Sequence, residues 1–354
     1  MTAKISCKQF LILLLICRIF TLMTFVPLAS EGYSFTSQIT AVLISTAIQA
    51  VLVIPVILFN RLCPDTTVTS AIKDKNKAAG IIAAALYLIF FLAHSVNCTI
   101  HFMEFLRSRF FYGAGAAIML AVFAAACVYC AYCGIEGLAR SGAFVLIFFI
   151  LTLIMMTAAS VGNFNTLNFY SDNLNNSLWK AVTDDLARNC EITAAAFLIK
   201  NTDKPCRKGL YGLLAAKLVL TSLIMALVTG VLGGYAELTD YPFMEVGSYS
   251  ETRLFQRNDS LYLILWTLAA VISVSLFIRI TAGLACEIAP RLKFASPIAG
   301  AAVFLISALS IYADYDFARL AGYICGGFAV MILTGIIPLA AYLILRKKGG
   351  GAVD

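Results

Sequence analysis

The run QFLILLLICRIFTLMTFVPLA, residues 9–29, is apolar throughout except for Arg18 near its middle. Roughly 20 apolar residues cross a hydrocarbon core, so the run reads as a membrane span with a cation at depth. A charge there costs roughly 2.5–3.5 kcal/mol on insertion scales, and it normally faces a bundle interior or a watery cavity on a functional route. Arg18 lies about ten residues from either end of the run, too deep for its stem to carry the guanidinium cheaply to the interface.

The rest of the chain extends this reading. Of its 354 residues 61% are hydrophobic and 13% charged, with a mean hydropathy of +0.90. Ordinary soluble domains are about 45–50% apolar, so a polytopic membrane protein is expected. The net charge of +7 does not indicate nucleic acid, because the Lys and Arg residues sit in short loops between apolar runs, where they act as topology signals. Lys4 and Lys8 resemble the flank of a signal peptide. The following run is too long for a typical signal core and no small-x-small cleavage site follows it, so a retained first helix is expected. Most of the eleven cysteines lie in apolar segments, where free Cys behaves as a small hydrophobe, and no disulfide framework is implied.

Ten candidate spans follow: 9–29, 37–59, 79–101, 113–133 and 141–161, then 177–200, 209–234, 261–285, 296–312 and 319–345. Assigning loops alternately to the two sides places sixteen Lys and Arg residues on one side and seven on the other. That asymmetry puts both termini in the cytoplasm. Three cations remain within spans. Lys217 and Arg279 are expected to extend to the cytoplasmic interface, whereas Arg18 is not.

The sixth segment is irregular. Its first part, SLWKAVTDDLARN, is polar, and its second, CEITAAAFLI, is apolar but too short to span alone. Such a pair reads as a discontinuous helix lining a cavity, or as an amphipathic helix lying on the surface. Five plus five spans, with Arg18 in the first helix of one half and Glu191 in the first helix of the other, is the layout of a LeuT-like inverted repeat whose site lies at the midplane. The expected molecule is one all-α integral membrane domain over 1–354, with repeats of about 9–161 and 177–345 and a tail at 346–354. Arg18 and Glu191 are then expected to be neighbours, either as a structural ion pair or as ligand contacts.

His94 and Asn97 share a face of the third span and point to a cavity wall or to interhelical hydrogen bonds. Cys127, Cys130 and Cys133 spiral along one helix and cannot alone supply tetrahedral zinc ligation. The only two histidines are seven residues apart, so neither metal nor cofactor is expected. The acidic stretch after Gly233 and Gly234 is expected to be a long outer loop, and 60–77 and the tail solvated connectors. No P-loop, nucleophile elbow or paired catalytic carboxylate occurs at usable spacing, and enzymatic activity is not expected.

Two stretches carry a family resemblance. The junction YCGIEGLARSGAFVLIFFILTLIMMTAASVGNFNTLN (132–168) resembles that of the spore germination receptor B-subunits. So does YPFMEVGSYSETRLFQRNDSLYLILW (241–266), and the opening Ile5, Ser6 and Gln9 add to the likeness. The resemblance covers essentially the whole chain. It implies a permease of the amino acid, polyamine and organocation superfamily, serving as a nutrient sensor in the inner membrane of a bacterial endospore with a multi-span A-subunit and a C-subunit lipoprotein. Gly134, Glu136, Gly137 and Arg140 match the first motif, and Tyr241, Pro242, Arg257 and Trp266 the second, all taken as architectural. Glu191 matches the acid at the family's sixth-span break. Family members usually carry a glycine near the middle of the first span, where unwinding exposes backbone to ligand; here Arg18, Ile19, Phe20 and Thr21 stand there instead.

The leading expectation is a sensor that binds a small nutrient of the amino-acid class between helices 1, 3, 6 and 8 and shifts a conformational equilibrium. Arg18 would take a carboxylate, Glu191 an amine or Arg18, and Thr21, Thr24, His94 and Ser273 would form polar walls. The alternatives are an amino-acid or cation transporter coupled to protons through Glu191, and a scaffold whose cavity is filled by an ion pair. Membrane lipid is the surrounding partner.

Overall fold

Helices that are apolar on every side must be covered by protein on some faces and lipid on the others, and the chain is built almost entirely from such helices. The computed structural model describes residues 4–24, 33–109, 115–170, 177–203, 206–249, 259–292, 294–312 and 317–349. In chain order the helices are α1 Cys7–Thr24, α2 Phe35–Leu62, α3 Val68–Lys75, α4 Lys77–Arg109, α5 Ala116–Cys133, α6 Ile135–Ser160, α7 Leu178–Ala187 and α8 Cys190–Leu198. They continue with α9 Arg207–Leu232, α10 Pro242–Tyr249, α11 Asp259–Ile288, α12 Ala295–Tyr312, α13 Phe317–Ile324, α14 Gly327–Met331 and α15 Ile337–Gly349.

Among the described residues eight helical stretches are long and apolar enough to span a membrane, and Ala117–Cys133 is a shorter apolar helix. The sixth segment, α7 and α8, is not among those eight because it is broken. The count of ten therefore depends on how a short helix and a broken one are scored.

α1 and α11 form the centre of the bundle. Each buries two thirds of its most apolar window inside the protein, against 28% for α6 and α12. α1 packs on α6, α8, α9 and α11, and α11 on α4, α5 and α12. Ser6 and Gln9 start α1 as a reciprocal capping box, with the Gln9 amide donating to Ser6 Oγ at 3.2 Å and the Ser6 amide to Gln9 Oε1 at 3.0 Å. The family-like opening is thus a helix start. α1 is unbroken from Cys7 to Thr24, as the lack of a mid-span glycine allows.

The basic end of the bundle is tied together by contacts the sequence did not announce. Ile5 pairs with the segment after α8, its amide donating to the Asn201 carbonyl at 2.8 Å. This brings Cys7 and Cys206 together as a disulfide with a Cα–Cα distance of 5.6 Å, a single bridge that the cysteine pattern did not imply. Two residues far apart in sequence were placed side by side by the Ile5 bridge. The connector expected to be solvated instead folds into α3, which buries Val68, Ala71 and Ile72 against Phe59, Ala83 and Ala341. Its threonines hold the end of α11, Thr67 Oγ1 donating to Glu287 Oε1 at 2.7 Å and Thr69 Oγ1 to Glu287 Oε2.

The opposite end is closed by aromatic packing. Trp266 stacks on Phe102 at 4.8 Å and meets Phe105 edge-on at 4.2 Å, and Phe105 meets Tyr241 at 4.6 Å. Part of the expected outer loop is the helix α10, whose Pro242, Phe243, Met244 and Val246 are buried. The tenth span, expected as one helix, is broken at Cys325 and Gly326 and contains a π-helical turn at Ile332–Ile336. Gly327 sits against α7, where an added Cβ would lie 2.5 Å from the Thr183 carbonyl. That contact requires glycine.

Candidate functional site

The sixth segment divides where its polarity changes. α7 ends at Ala187 and α8 begins at Cys190, with Arg188 as the C-cap of one and Asn189 as the N-cap of the other. A helix break leaves backbone groups without intrahelical partners, and at membrane depth these must be satisfied by protein. Arg18 does this for α7: its Nη1 donates to the Arg188 carbonyl at 3.3 Å. Its Nη2 donates to Asp185 Oδ1 at 3.1 Å and to Thr221 Oγ1 of α9 at 3.3 Å. A cation at a helix C-terminus is favoured by the dipole, whereas Asp185 in the same last turn is not and needs the guanidinium.

Asp185 is further held by the Ser45 hydroxyl of α2 and by Asn189 Nδ2, the latter at 3.1 Å from Oδ2. Its carboxylate is therefore shared between α1, α2 and the break itself.

A second ion pair lies beside the first. Lys217 Nζ of α9 pairs with Glu191 in the first turn of α8 and donates to Gln49 Oε1 of α2 at 2.8 Å. Lys217 also lies within electrostatic reach of Arg18 and Asp185. The four charged groups are 1–4% exposed and sum to zero, and they join α1, α2, α7, α8 and α9.

Two sequence expectations change here. Arg18 pairs with Asp185, not with Glu191, whose partner is Lys217. Lys217 does not reach the interface: it stands ten residues past Arg207, and at 1.5 Å per residue that is about 15 Å, the middle of a bilayer core. Arg279, by contrast, is exposed on α11, with its Nη1 donating to the Ala131 carbonyl at 3.5 Å. The charged groups thus gather between spans one, two, six and seven, whereas the expected site was between helices 1, 3, 6 and 8.

The remaining candidates fall on other faces. Thr21 and Thr24 spend their hydroxyl protons on carbonyls of their own helix, Cys17 at 3.0 Å and Phe20 at 2.7 Å. Thr24 Oγ1 also accepts the Trp266 indole N–H at 2.9 Å, and the Tyr262 hydroxyl donates to the Met23 carbonyl at 2.5 Å. These groups lock α1 to α11. Ser273 is buried in α11, and its hydroxyl makes no hydrogen bond among the described residues. His94 contacts Cys98 of its own helix at 3.6 Å and meets the Phe277 ring edge-on at 4.6 Å. Among the described residues no group of three His, Cys, Asp or Glu is placed to hold a metal.

The motif residues serve architecture. Gly134 turns the chain between α5 and α6 at φ 95° and ψ 175°, a region open essentially to glycine alone. Glu136 and Arg140 form an exposed i, i+4 pair one turn on, with Gly137 between them. Tyr241 and Pro242 start α10 and Trp266 anchors α11 to α1. Arg257 lies outside the described residues. Sequence reading missed Asp185, Asn189, Ser45, Gln49 and Thr221. Asp185 was visible as an acid in the polar half of the sixth segment, whereas the polar residues of α2 and α9 gave no signal apart from their span.

The fold has a counterpart among solved structures. A Na+-coupled sialic acid symporter in a substrate-bound outward-open state superimposes with a TM-score of 0.69, over 96% of this chain and 88% of that one, at 13% identity. At that identity the likeness speaks for the LeuT-like membrane-transporter fold alone. No curated protein sequence gives a significant match. The family model described as spore germination protein matches residues 4–313, a stretch that includes the capping box, the Gly134 turn, the broken sixth segment and the aromatic closure. The chain therefore belongs to the spore germination permease family.

Proposed function

We propose that the chain is the nutrient-sensing transmembrane subunit of a spore germinant receptor, acting in the spore inner membrane with an A-subunit and a C-subunit lipoprotein, and without enzymatic activity. One observation carries the reading: four mutually neutralising charges are buried at a helix break at membrane depth. A purely structural need would be met more cheaply by apolar packing, since buried ion pairs are often neutral or destabilising relative to it. A zwitterionic amino acid brings one carboxylate and one ammonium. It can therefore replace either internal pair without changing the net charge, its carboxylate taken by Arg18 or Lys217 and its ammonium by Asp185 or Glu191. Exchanging internal partners for ligand frees α7 from α1, or α8 from α9. The ligand's differential affinity for the two arrangements then shifts the equilibrium that partner subunits read.

Arg18→Lys tests this directly, because a point charge replaces a planar fork that makes three bonds. Spores carrying it should need a higher amino-acid concentration for half-maximal germination at unchanged protein abundance. An unchanged dose response with reduced abundance would assign the cluster to scaffolding instead. The second reading, a proton-coupled amino-acid or cation transporter, draws on the Lys217 and Glu191 contact, across which a proton can be exchanged. Uptake of labelled amino acid by vesicles containing this chain alone would favour it.

A further inference from the structure

We propose that the groove between the last turns of α2 and the first turn of α9 binds the headgroup of an anionic phospholipid from the leaflet at the basic end of the bundle. This inference does not depend on the sensing reading. The groove encloses about 440 Å³; Arg61, Arg207, Lys208 and Tyr211 line its polar side and Ile54 and Leu58 are among its apolar residues. Among the described residues that line it there is no carboxylate, so its charged lining is three cations. Arg207 Nε is buried and has no hydrogen-bond partner among the described residues. A buried donor left in that state is costly, and a phosphate oxygen is the acceptor a guanidinium fits best.

The backbone adds to the same field. Arg207 is the first residue of α9, and its N-cap, Cys206, supplies no side-chain cap. The positive end of the helix dipole lies at the same place. The position matches a headgroup: Arg61 closes α2 and Arg207 opens α9, both at the ends of spanning helices. Basic pockets between spanning helices at the cytoplasmic side are where anionic lipid headgroups bind.

The apolar wall separates a lipid from free phosphate. Ile54 and Tyr211 are each 43% exposed, further along their helices toward the membrane centre than the cations. An acyl chain running down from a phosphate at Arg207 would cover them, whereas inorganic phosphate would leave them bare.

The test uses the full-length protein, purified in detergent and titrated with phosphatidylglycerol or phosphatidylcholine while bound lipid is counted by native mass spectrometry. Wild type should retain phosphatidylglycerol through washing that strips phosphatidylcholine. The triple variant Arg61→Gln, Arg207→Gln, Lys208→Gln should bind phosphatidylglycerol at least about tenfold more weakly. A charge-matched control at exposed sites of the same end, Lys75→Gln, Lys77→Gln, Arg346→Gln, should bind as wild type does. Equal loss in both triple variants, equal retention of the two lipids, or displacement of phosphatidylglycerol by inorganic phosphate would each overturn the proposal. If the triple variant is not recovered folded, Lys208→Gln alone, at an exposed position, should still weaken phosphatidylglycerol binding by about threefold, and no change would overturn the proposal.

Discussion

Arg18 shows how a single residue acquires its meaning from its partners. Alone on an apolar helix it is a costly charge; with Asp185, the Arg188 carbonyl and Thr221 around it, it closes a helix break. Removing one member of a buried pair strands the other, so Arg18→Ala should destabilise the protein by about 3–5 kcal/mol. The double variant Arg18→Met with Asp185→Leu should recover most of that loss in thermal unfolding, yet abolish the amino-acid response. Recovery of both stability and response would make the pair a dispensable filler. At the other end of α1 the expected effect is smaller. Trp266→Phe keeps the aromatic packing on Phe102 and Phe105 but removes the hydrogen bond to Thr24. It should cost about 1 kcal/mol, read as a modest fall in melting temperature.

Irregularities fix the important elements. The break between α7 and α8 falls where SLWKAVTDDLARN gives way to CEITAAAFLI, because a polar half cannot continue into lipid and must fold back on protein groups. The break in the tenth span had a weaker signal, the Gly326 and Gly327 pair, and its purpose appears only in three dimensions, where Gly327 meets the backbone of α7. Gly134 is a similar case with a local cause. At φ 95° a side chain strains the backbone whatever space surrounds it, and Gly134→Ala should cost about 1–3 kcal/mol in thermal unfolding. At the basic end, Glu287 holds α3 through Thr67 and Thr69. Glu287→Ala should leave the spanning helices in place and speed amide hydrogen exchange across Val68–Lys75, with α4 and α11 unchanged.

For the whole molecule, the charge distribution makes a claim about sidedness that labelling can check. Sixteen cations on one side against seven predict that cysteines placed at Lys75 and Arg346, in a background without accessible native thiols, react with an impermeant maleimide only from the cytoplasmic face. A cysteine at Tyr170, which is 85% exposed, should react only from the other face. Labelling of Tyr170→Cys and Lys75→Cys from the same side would break the alternation on which the topology rests.

The sequence by itself determined that the chain is a helical membrane protein and roughly where its apolar spans lie, and it marked the sixth segment as irregular, either discontinuous or amphipathic. These depend on local hydrophobicity and length, set by the thickness of the bilayer. It also marked Arg18 and Glu191 as charges needing partners, because burial cost is a property of the residue. Only the tertiary structure decided which partners they have. Asp185 and Lys217 stand 167 and 26 residues from Arg18 and Glu191, and contacts over such separations depend on how helices pack, which no local pattern encodes. The same packing joined Cys7 to Cys206, folded the connector after α2 into a helix with one buried face, and moved the charged centre of the molecule away from α4 and α11.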